Sequence, residues 1–310
     1  MTYVDIIFVV VLVLIFILFS LFVYGEFLFW FTFHRSESHE FVKRNTKVQE
    51  MMFLKDKEWF TSIPKKIVSI KAYDKTTLKA AFIEYIDSHK YFIVVHGYHG
   101  SYSDLSPMAH KMNDQGFNIL MICLRGHSIS GGYYFTMGAK EKIDIKSWIE
   151  YIVSIDPSSQ IAIEGISMGA SSTMFALGLS LPVNLKCAIE DCGYSSIRDQ
   201  LEYSMKNFIK FIPKKFSLGI LEIISRLHGF SINENVESSL KNCACPLLLI
   251  HGEKDNFVPY KFLKRNIEAI NKNQVYQVES FKDAGHSSSI GTEPERYFSV
   301  IINFVNKFIK

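Results

Sequence analysis

A Gly-x-Ser-x-Gly motif occurs near the middle of the chain as Gly165-Ile166-Ser167-Met168-Gly169. The apolar run Ile161-Ala162-Ile163 before it predicts a buried strand, and residues 170–177 after it, small at first and then apolar at helical spacing, predict a helix. A turn this tight leaves almost no room for side chains beside the serine and lifts the serine hydroxyl clear of the backbone. Five residues can match by chance in a turn, but the flanking strand and helix favour Ser167 as a nucleophile.

Strand-like runs and helical patterns alternate over residues 65–310. The first two runs, 67–73 and 78–86, flank an Asp74-Lys75-Thr76 turn and predict a hairpin. The later runs are mostly apolar, as expected for strands covered on both faces; they lie at 91–95, 118–122, 161–163, 186–190, 246–250 and 275–278. This alternation predicts an α/β protein with a mostly parallel, doubly wound sheet, built as a single domain of about 245 residues.

Residues 195–240 interrupt the alternation with helical stretches rich in Phe, Leu and Ile, such as 200–211 and 216–228. An insertion at this point is expected to lie over the carboxyl edge of the sheet, where active sites lie in open α/β folds. The pattern therefore favours a small helical lid with an apolar underside. The alternative is that this insertion only packs against the domain and has no role at the site.

The N-terminal segment has a different composition. Residues 6–25 contain no charged side chain, and at about 1.5 Å per residue they span roughly 30 Å, the thickness of a bilayer core. The aromatic residues at 27–31 suit the membrane interface. A cleaved signal peptide would begin with Lys or Arg, have a shorter apolar run and end in an Ala-x-Ala site, and this segment lacks these features. We therefore expect a retained transmembrane helix within residues 1–33 and a polar juxtamembrane linker at 34–64.

The charges beside the apolar segment predict its orientation. Arg35, Lys43, Arg44 and Lys47 follow the segment, whereas Asp5 is the one charge that precedes it. The positive-inside rule then places the long C-terminal part in the cytoplasm, on a single-pass membrane protein.

Cysteine usage and net charge limit the possible partners. Five cysteines are an odd number, and Cys243-Ala244-Cys245 is too closely spaced for an easy mutual disulfide. No Cys-x-x-Cys pair occurs, which argues against a zinc or redox site, and we expect free thiols in a reducing compartment. The net charge is +3 with Lys and Arg dispersed, which does not indicate a nucleic-acid partner.

A serine nucleophile needs an imidazole to take its proton, and the sequence contains ten histidines. His286 follows the last predicted strand and precedes the last helix, so its loop can reach Ser167 from the same sheet edge. His127, in Arg125-Gly126-His127-Ser128, is the competitor and is better explained as a residue that structures its loop. We therefore predict that His286 is the base.

The imidazole in turn needs an acid that fixes its tautomer and stabilises its cation. Asp255 follows a buried strand and precedes a helix, which suits this role. Glu253 lies closer to the strand end, and Asp283 is so near His286 in sequence that a short loop rarely brings both side chains together. Asp255 is therefore the predicted acid.

An oxyanion hole requires two backbone N–H groups that point at the developing negative charge. Met168, directly after the nucleophile, is expected to supply one of them. The loop His96-Gly97-Tyr98-His99-Gly100 is expected to supply the other, from Tyr98, because Gly97 permits a close turn. The side chains of Tyr98 and His99 are also predicted to line the acyl pocket.

These motifs, in this order, resemble a known family. The motifs that carry the resemblance are Val95-His96-Gly97-Tyr98, Leu124-Arg125-Gly126-His127, Gly165-Ile166-Ser167-Met168-Gly169, Glu190-Asp191-Cys192-Gly193, His251-Gly252-Glu253-Lys254-Asp255 and Ala284-Gly285-His286. Over residues 65–310 they are similar to α/β-hydrolase serine hydrolases, in the branch with prolyl-oligopeptidase-like and serine-aminopeptidase-like proteins, membrane-anchored bacterial hydrolases and depalmitoylase-like relatives. The order Ser167, Asp255, His286 is that of this fold. Ser128 departs from the usual Arg-Gly-His-Gly.

The resemblance implies an α/β-hydrolase fold and hydrolysis of an ester, thioester or amide through an acyl-enzyme, without a metal or organic cofactor. The leading hypothesis is a membrane-tethered serine esterase that acts on a small acyl ester or a lipid-like substrate. A serine peptidase or aminopeptidase for short peptides and amides is the second hypothesis, disfavoured because we see no N-terminal propeller domain ahead of the hydrolase. A non-catalytic scaffold with this fold is the third.

Overall fold

A computed structural model describes residues 2–35, 47–205 and 212–310. Eight strands form one sheet, and their bounds are β1 (Lys66–Lys71), β2 (Thr77–Ile83), β3 (Lys90–Val95), β4 (Asn118–Cys123), β5 (Gln160–Ile166), β6 (Leu185–Asp191), β7 (Leu247–Gly252) and β8 (Tyr276–Phe281). Their spatial order is β1-β2-β4-β3-β5-β6-β7-β8. β2 runs antiparallel to β1 and β4, and all pairs from β4 through β3 to β8 are parallel. The predicted hairpin and the mostly parallel sheet are confirmed.

Helices connect the strands and flank the sheet. Their bounds are α1 (Tyr3–Phe33), α2 (Lys47–Ser62), α3 (Ser106–Asp114), α4 (Glu141–Ile155), α5 (Met168–Ala176), α6 (Ile197–Ser204), α7 (Lys214–Leu227), α8 (Val236–Leu240), α9 (Lys261–Glu268), α10 (Ser289–Thr292) and α11 (Pro294–Val305). The helices predicted at 200–211 and 216–228 correspond to α6 and α7, and the end of the first prediction, 206–211, lies outside the described residues.

Side chains of the central strands are buried on both faces of the sheet. In β3, Ile93 and Val95 belong to one hydrophobic core, whereas Phe92 and Val94 belong to the other. Helices α4, α5 and α7 cover the first face, and α2, α3 and α11 cover the second. This explains why these strands are continuously apolar in sequence, since neither face meets water.

Helix α1 has two parts with opposite surroundings. It is long and apolar enough to cross a membrane, by length and composition, and the side chains of its first two thirds are largely exposed. Its last turns contribute Leu28, Phe29 and Phe33 to the first hydrophobic core. The contacts of α1 with the sheet domain therefore begin before residue 33, the predicted end of the anchor.

Candidate active site

The turn between β5 and α5 has the geometry that its glycines require. Ser167 has φ +57° and ψ −119°, a strained conformation for a residue with a side chain. A Cβ on Gly165 would lie 2.3 Å from the carbonyl oxygen of Gly169, and a Cβ on Gly169 would lie 2.2 Å from that of Val95. Both positions therefore exclude any other residue, and Ser167 is held at the carboxyl end of the central strands.

A continuous chain of hydrogen bonds joins the three predicted polar residues. The Nε2 atom of His286 lies 2.8 Å from Ser167 Oγ, and its Nδ1 atom lies 2.7 Å from Asp255 Oδ2. Because a carboxylate can only accept, Nδ1 carries the proton and Nε2 is free to accept the serine proton. The three residues follow β5, β7 and β8, and parallel strands bring their carboxyl ends to one edge.

Asp255 is buried and stays ionised. Burial by itself raises the pKa of this carboxyl, but hydrogen bonds and charge from His251 and His286 outweigh it and hold the pKa at about 2. Its second oxygen accepts the backbone N–H groups of Phe257 and Val258, at 2.9 and 2.8 Å. The loop thus fixes the carboxylate in the orientation that His286 needs.

Sequence reasoning missed His251, the last-but-one residue of β7. Its Nε2 atom lies 2.9 Å from the carbonyl oxygen of Val258 and 3.4 Å from Asp255 Oδ2. The ring is fully buried, so it supports the Asp255 loop from below. A histidine at the end of an otherwise apolar strand, four residues before the predicted acid, was the available signal.

The competing residues are engaged elsewhere. His127 is fully buried, its Nδ1 atom lies 2.9 Å from the Arg125 carbonyl oxygen, and burial lowers its pKa to about 4. Glu253 accepts a hydrogen bond from the Ser280 hydroxyl at 2.9 Å. Asp283 forms an exposed ion pair with Lys254 at 2.7 Å.

The loop after β3 lies directly against the candidate nucleophile. A Cβ on Gly97 would be 3.1 Å from Ser167 Cβ and 3.6 Å from its Oγ, so the glycine permits this approach. Tyr98 follows, and its ring packs 4.0 Å from that of His99 and 5.1 Å from that of Phe135, measured between centroids. Met168 is the first residue of α5, where N–H groups have no intrahelical acceptor. The residues predicted for the oxyanion hole and the acyl pocket thus lie on this loop and this helix start.

The end of α1 also reaches the site, which the sequence did not indicate. The Tyr98 hydroxyl lies 3.5 Å from the carbonyl oxygen of Thr32, and the N–H of Phe135 donates to the carbonyl oxygen of Phe33 at 3.0 Å. The guanidinium of Arg35 donates to the carbonyl oxygens of residues 128, 130 and 132. Backbone and side-chain bonds therefore fasten the C-terminal end of α1 beside the loop that carries Tyr98.

Two buried carboxyls share one tyrosine at the ends of β5 and β6. The Tyr297 hydroxyl lies 2.9 Å from Glu164 Oε1 and 2.8 Å from Asp191 Oδ2. A tyrosine has a single proton to donate, so one carboxyl must itself be protonated. Burial raises the pKa of Glu164 to about 8 and that of Asp191 to about 6, so Glu164 keeps the proton at neutral pH. Because the Asp191 carbonyl oxygen accepts the Ser167 N–H at 2.8 Å, this network supports the turn from beneath.

Among the described residues, one group of side chains has the spacing of metal ligands: Cys192, Asp255 and His286, with ligand atoms within 4.8 Å of one another. Burial raises the pKa of the Cys192 thiol well above its usual range, so the thiolate that a metal prefers is disfavoured. Asp255 and His286 are already joined to each other, and His286 to Ser167. The chemistry of these donors fits proton transfer better than metal binding.

The sheet order and the turn at Ser167 define an α/β-hydrolase, and comparison with known proteins agrees. The family model described as serine aminopeptidase, S33, matches residues 87–218, and that of the dienelactone hydrolase family matches residues 224–297. The protein YqkD of Bacillus subtilis (strain 168) is 25% identical over 205 residues, which cover 65% of this chain and 66%, just under two thirds, of that relative.

Solved structures show the same similarity. The esterase Pf2001 of Pyrococcus furiosus superposes with a TM-score of 0.66 at 25% identity, over 81% of this chain and 96% of the esterase. An acylaminoacyl peptidase of Pyrococcus horikoshii superposes with a TM-score of 0.58 at 19% identity, over 86% of this chain and 44% of the peptidase. The chain has the α/β-hydrolase fold, and these similarities support a serine hydrolase.

Proposed function

We propose that this protein hydrolyses carboxylic esters or thioesters through an acyl-enzyme, with Ser167 as nucleophile, His286 as general base and Asp255 as the acid that orients His286. The observation that carries the proposal is the unbroken hydrogen-bond chain from Asp255 through His286 to Ser167, with both distances below 3 Å. A catalytically inactive scaffold has no need for this alignment on a strained serine.

The geometry leads to the following sequence of steps. Ser167 Oγ attacks the acyl carbon while His286 Nε2 takes its proton, and the Asp255 carboxylate stabilises the resulting imidazolium. The N–H groups of Met168 and Tyr98 stabilise the oxyanion. His286 then gives the proton to the departing alcohol or thiol, which leaves the acyl group on Ser167. A water molecule, deprotonated by His286, releases the acid and restores the serine.

Substrate class is the finer part of the proposal. The similarity to the Pyrococcus furiosus esterase covers nearly all of that protein and supports an ester. The match of the serine aminopeptidase model to residues 87–218 supports the alternative, a peptidase acting on short peptides or amides. Tyr98 follows Gly97 in the loop that lies against Ser167, and its ring packs on that of Phe135. An aromatic surface on this loop favours an acyl group over a charged amino terminus.

Membrane attachment also belongs to the proposal. The exposed apolar part of α1 supports a single-pass anchor, because so much apolar surface is unfavourable in water. Arg35 lies just after this helix, and its positive charge supports a catalytic domain on the cytoplasmic side of the membrane. Lys43 and Arg44 lie outside the described residues.

Labelling of the full chain in membranes with a fluorophosphonate tests the nucleophile. Wild type and Ser287→Ala, which changes a serine in the His286 loop, are expected to be labelled, and Ser167→Ala is not. Labelling of Ser167→Ala at the wild-type rate is the result that contradicts the assignment. Hydrolysis of p-nitrophenyl acyl esters should exceed that of aminoacyl p-nitroanilides, and the reverse order supports the peptidase.

A further inference from the structure

Helix α7 packs on the last turns of the uncharged part of α1. The hydroxyls of Tyr24 and Ser217 lie 2.8 Å apart. A Cβ on Gly25 would lie 2.5 Å from a side-chain atom of Ile224 and 2.7 Å from one of Ile220. Gly25 therefore allows α7 to rest directly on the backbone of α1.

This contact lies at a definite depth if α1 spans a bilayer. Residues 6–25 span roughly 30 Å, the thickness of the hydrocarbon core, so Gly25 marks its edge. Glu26, the first charge after this segment, pairs with His228 just after α7, at 3.1 Å. Ser217, in the first turn of α7, thus lies beside the hydrocarbon edge, and His228, directly after α7, lies among polar groups.

The surface of α7 next to this contact is apolar and exposed. Phe216, Ile223 and Leu227 are 49%, 62% and 69% exposed. At about 100° per residue these three lie within about 40° of one another, and Ile220 and Ile224 follow next around the helix. The exposed stripe therefore adjoins the side of α7 that touches α1, where a bilayer surrounding α1 must lie.

We propose that α7 is a second membrane contact, lying at the boundary between acyl chains and headgroups beside α1, with Phe216, Ile223 and Leu227 in the lipid. The occupant of this face is a phospholipid bilayer, since the stripe continues the exposed apolar surface of α1. Lys214 and Lys215, at the start of α7, suit anionic headgroups. The inference rests on the membrane attachment proposed above and is independent of the catalytic roles.

The proposal also determines how far the candidate active site lies from the bilayer. Thr32, which contacts Tyr98, lies seven residues beyond Gly25, or about 10 Å along α1. With α1 and α7 both seated in the bilayer, Ser167 lies close to the headgroup layer. The substrate class that fits this position is an acyl ester or thioester held in the membrane.

Fluorescence quenching in vesicles tests this arrangement. The full-length Ile223→Cys variant is labelled with an environment-sensitive fluorophore in phosphatidylcholine–phosphatidylglycerol vesicles that contain lipids with a nitroxide near the headgroup. Val183→Cys is the matched control, because Val183 is 85% exposed and precedes β6, at the opposite end of the strands from Ser167. The signal of the labelled wild-type protein, which retains its five native cysteines, is subtracted.

Quenching of at least about twofold at position 223, with little at position 183, is the expected result. Equal quenching at both positions, in a protein that resists alkaline extraction, contradicts the membrane contact of α7. The proposed anchor α1 is then still supported. Release of the protein by alkaline extraction overturns both. Labelling of Ser167 by fluorophosphonate is independent of all these outcomes, so failure of the catalytic proposal is distinguishable.

Discussion

The edge that carries Ser167 and the junction between α1 and the sheet domain both join segments far apart in the chain, but by different means. At the edge, short polar hydrogen bonds connect residues that each follow a strand. At the junction, Phe29 stacks on His228 with centroids 3.9 Å apart and packs edge-on against Tyr134 at 5.2 Å. Backbone geometry sets the first arrangement, and side-chain packing sets the second.

This difference predicts different responses to mutation. A catalytic chain of hydrogen bonds depends on single atoms, so an isosteric change can remove activity and leave the fold intact. An aromatic junction depends mainly on buried area, so the loss of volume is its most costly change, and the cost appears in stability. Four predictions, in order of decreasing effect, test this distinction.

The substitution Asp255→Asn is expected to lower kcat for a p-nitrophenyl ester by about 10³- to 10⁴-fold, because the amide favours the wrong tautomer of His286. Asp283→Asn is the matched control, since that carboxylate forms an exposed ion pair, and its kcat should stay within about twofold of wild type. A larger loss in the Asp283 variant than in the Asp255 variant reverses the assignment of the acid.

The substitution Phe29→Ala is expected to lower the free energy of unfolding by about 3–5 kcal/mol, because it removes a fully buried ring from the junction. In detergent this corresponds to a Tm lower by about 10 °C. Phe19→Ala, in the exposed part of the same helix, should shift Tm by no more than about 1 °C. Equal shifts for the two variants are incompatible with a docked α1.

Glu164→Gln is expected to change how stability depends on pH. The folded pKa of Glu164, about 8, lies above its ordinary value of 4.5, so its contribution is complete below about pH 4.5 and is lost as the pH rises through about 8. Between about pH 5 and pH 9, wild type should lose on the order of 3 kcal/mol relative to Glu164→Gln in denaturant unfolding. A Glu164→Gln profile identical to wild type refutes a buried Glu164 that stays protonated at neutral pH.

The smallest effect is expected for Arg35→Lys. Lysine carries its three donors on one nitrogen and cannot span the two positions from which Nη1 and Nη2 of Arg35 donate, so the junction should lose about 1 kcal/mol of unfolding free energy. Arg296→Lys, which changes a partly exposed arginine in surface ion pairs, should cost less than about 0.5 kcal/mol. Thermal unfolding of the two variants side by side measures the difference. A larger loss of stability in the Arg296 variant than in the Arg35 variant argues against a stabilising role of the Arg35 guanidinium.

Much of the fold and of the candidate site could be predicted from the sequence because both depend on order along the chain. Alternating strands and helices imply a parallel sheet, whose strands end at one edge. Residues just after successive strands therefore meet there, and the sequence positions of Ser167, Asp255 and His286 already contained that information. Two glycines and a serine were enough to predict the turn, because the limits on φ and on close approach are local.

Only the tertiary structure showed which residues stabilise this edge and how α1 packs on the sheet domain. The burial of His251 beneath Asp255, and the hydrogen bonds that join Glu164 and Asp191 to the Tyr297 hydroxyl, depend on contacts across the sheet. In the aromatic run at 27–31, Phe29 is buried against His228 while Phe27 and Phe31 are exposed, although all three are the same residue type. An apolar side chain suits a lipid and a protein core equally well, so composition cannot distinguish them, and the packing of distant segments decides which one it meets.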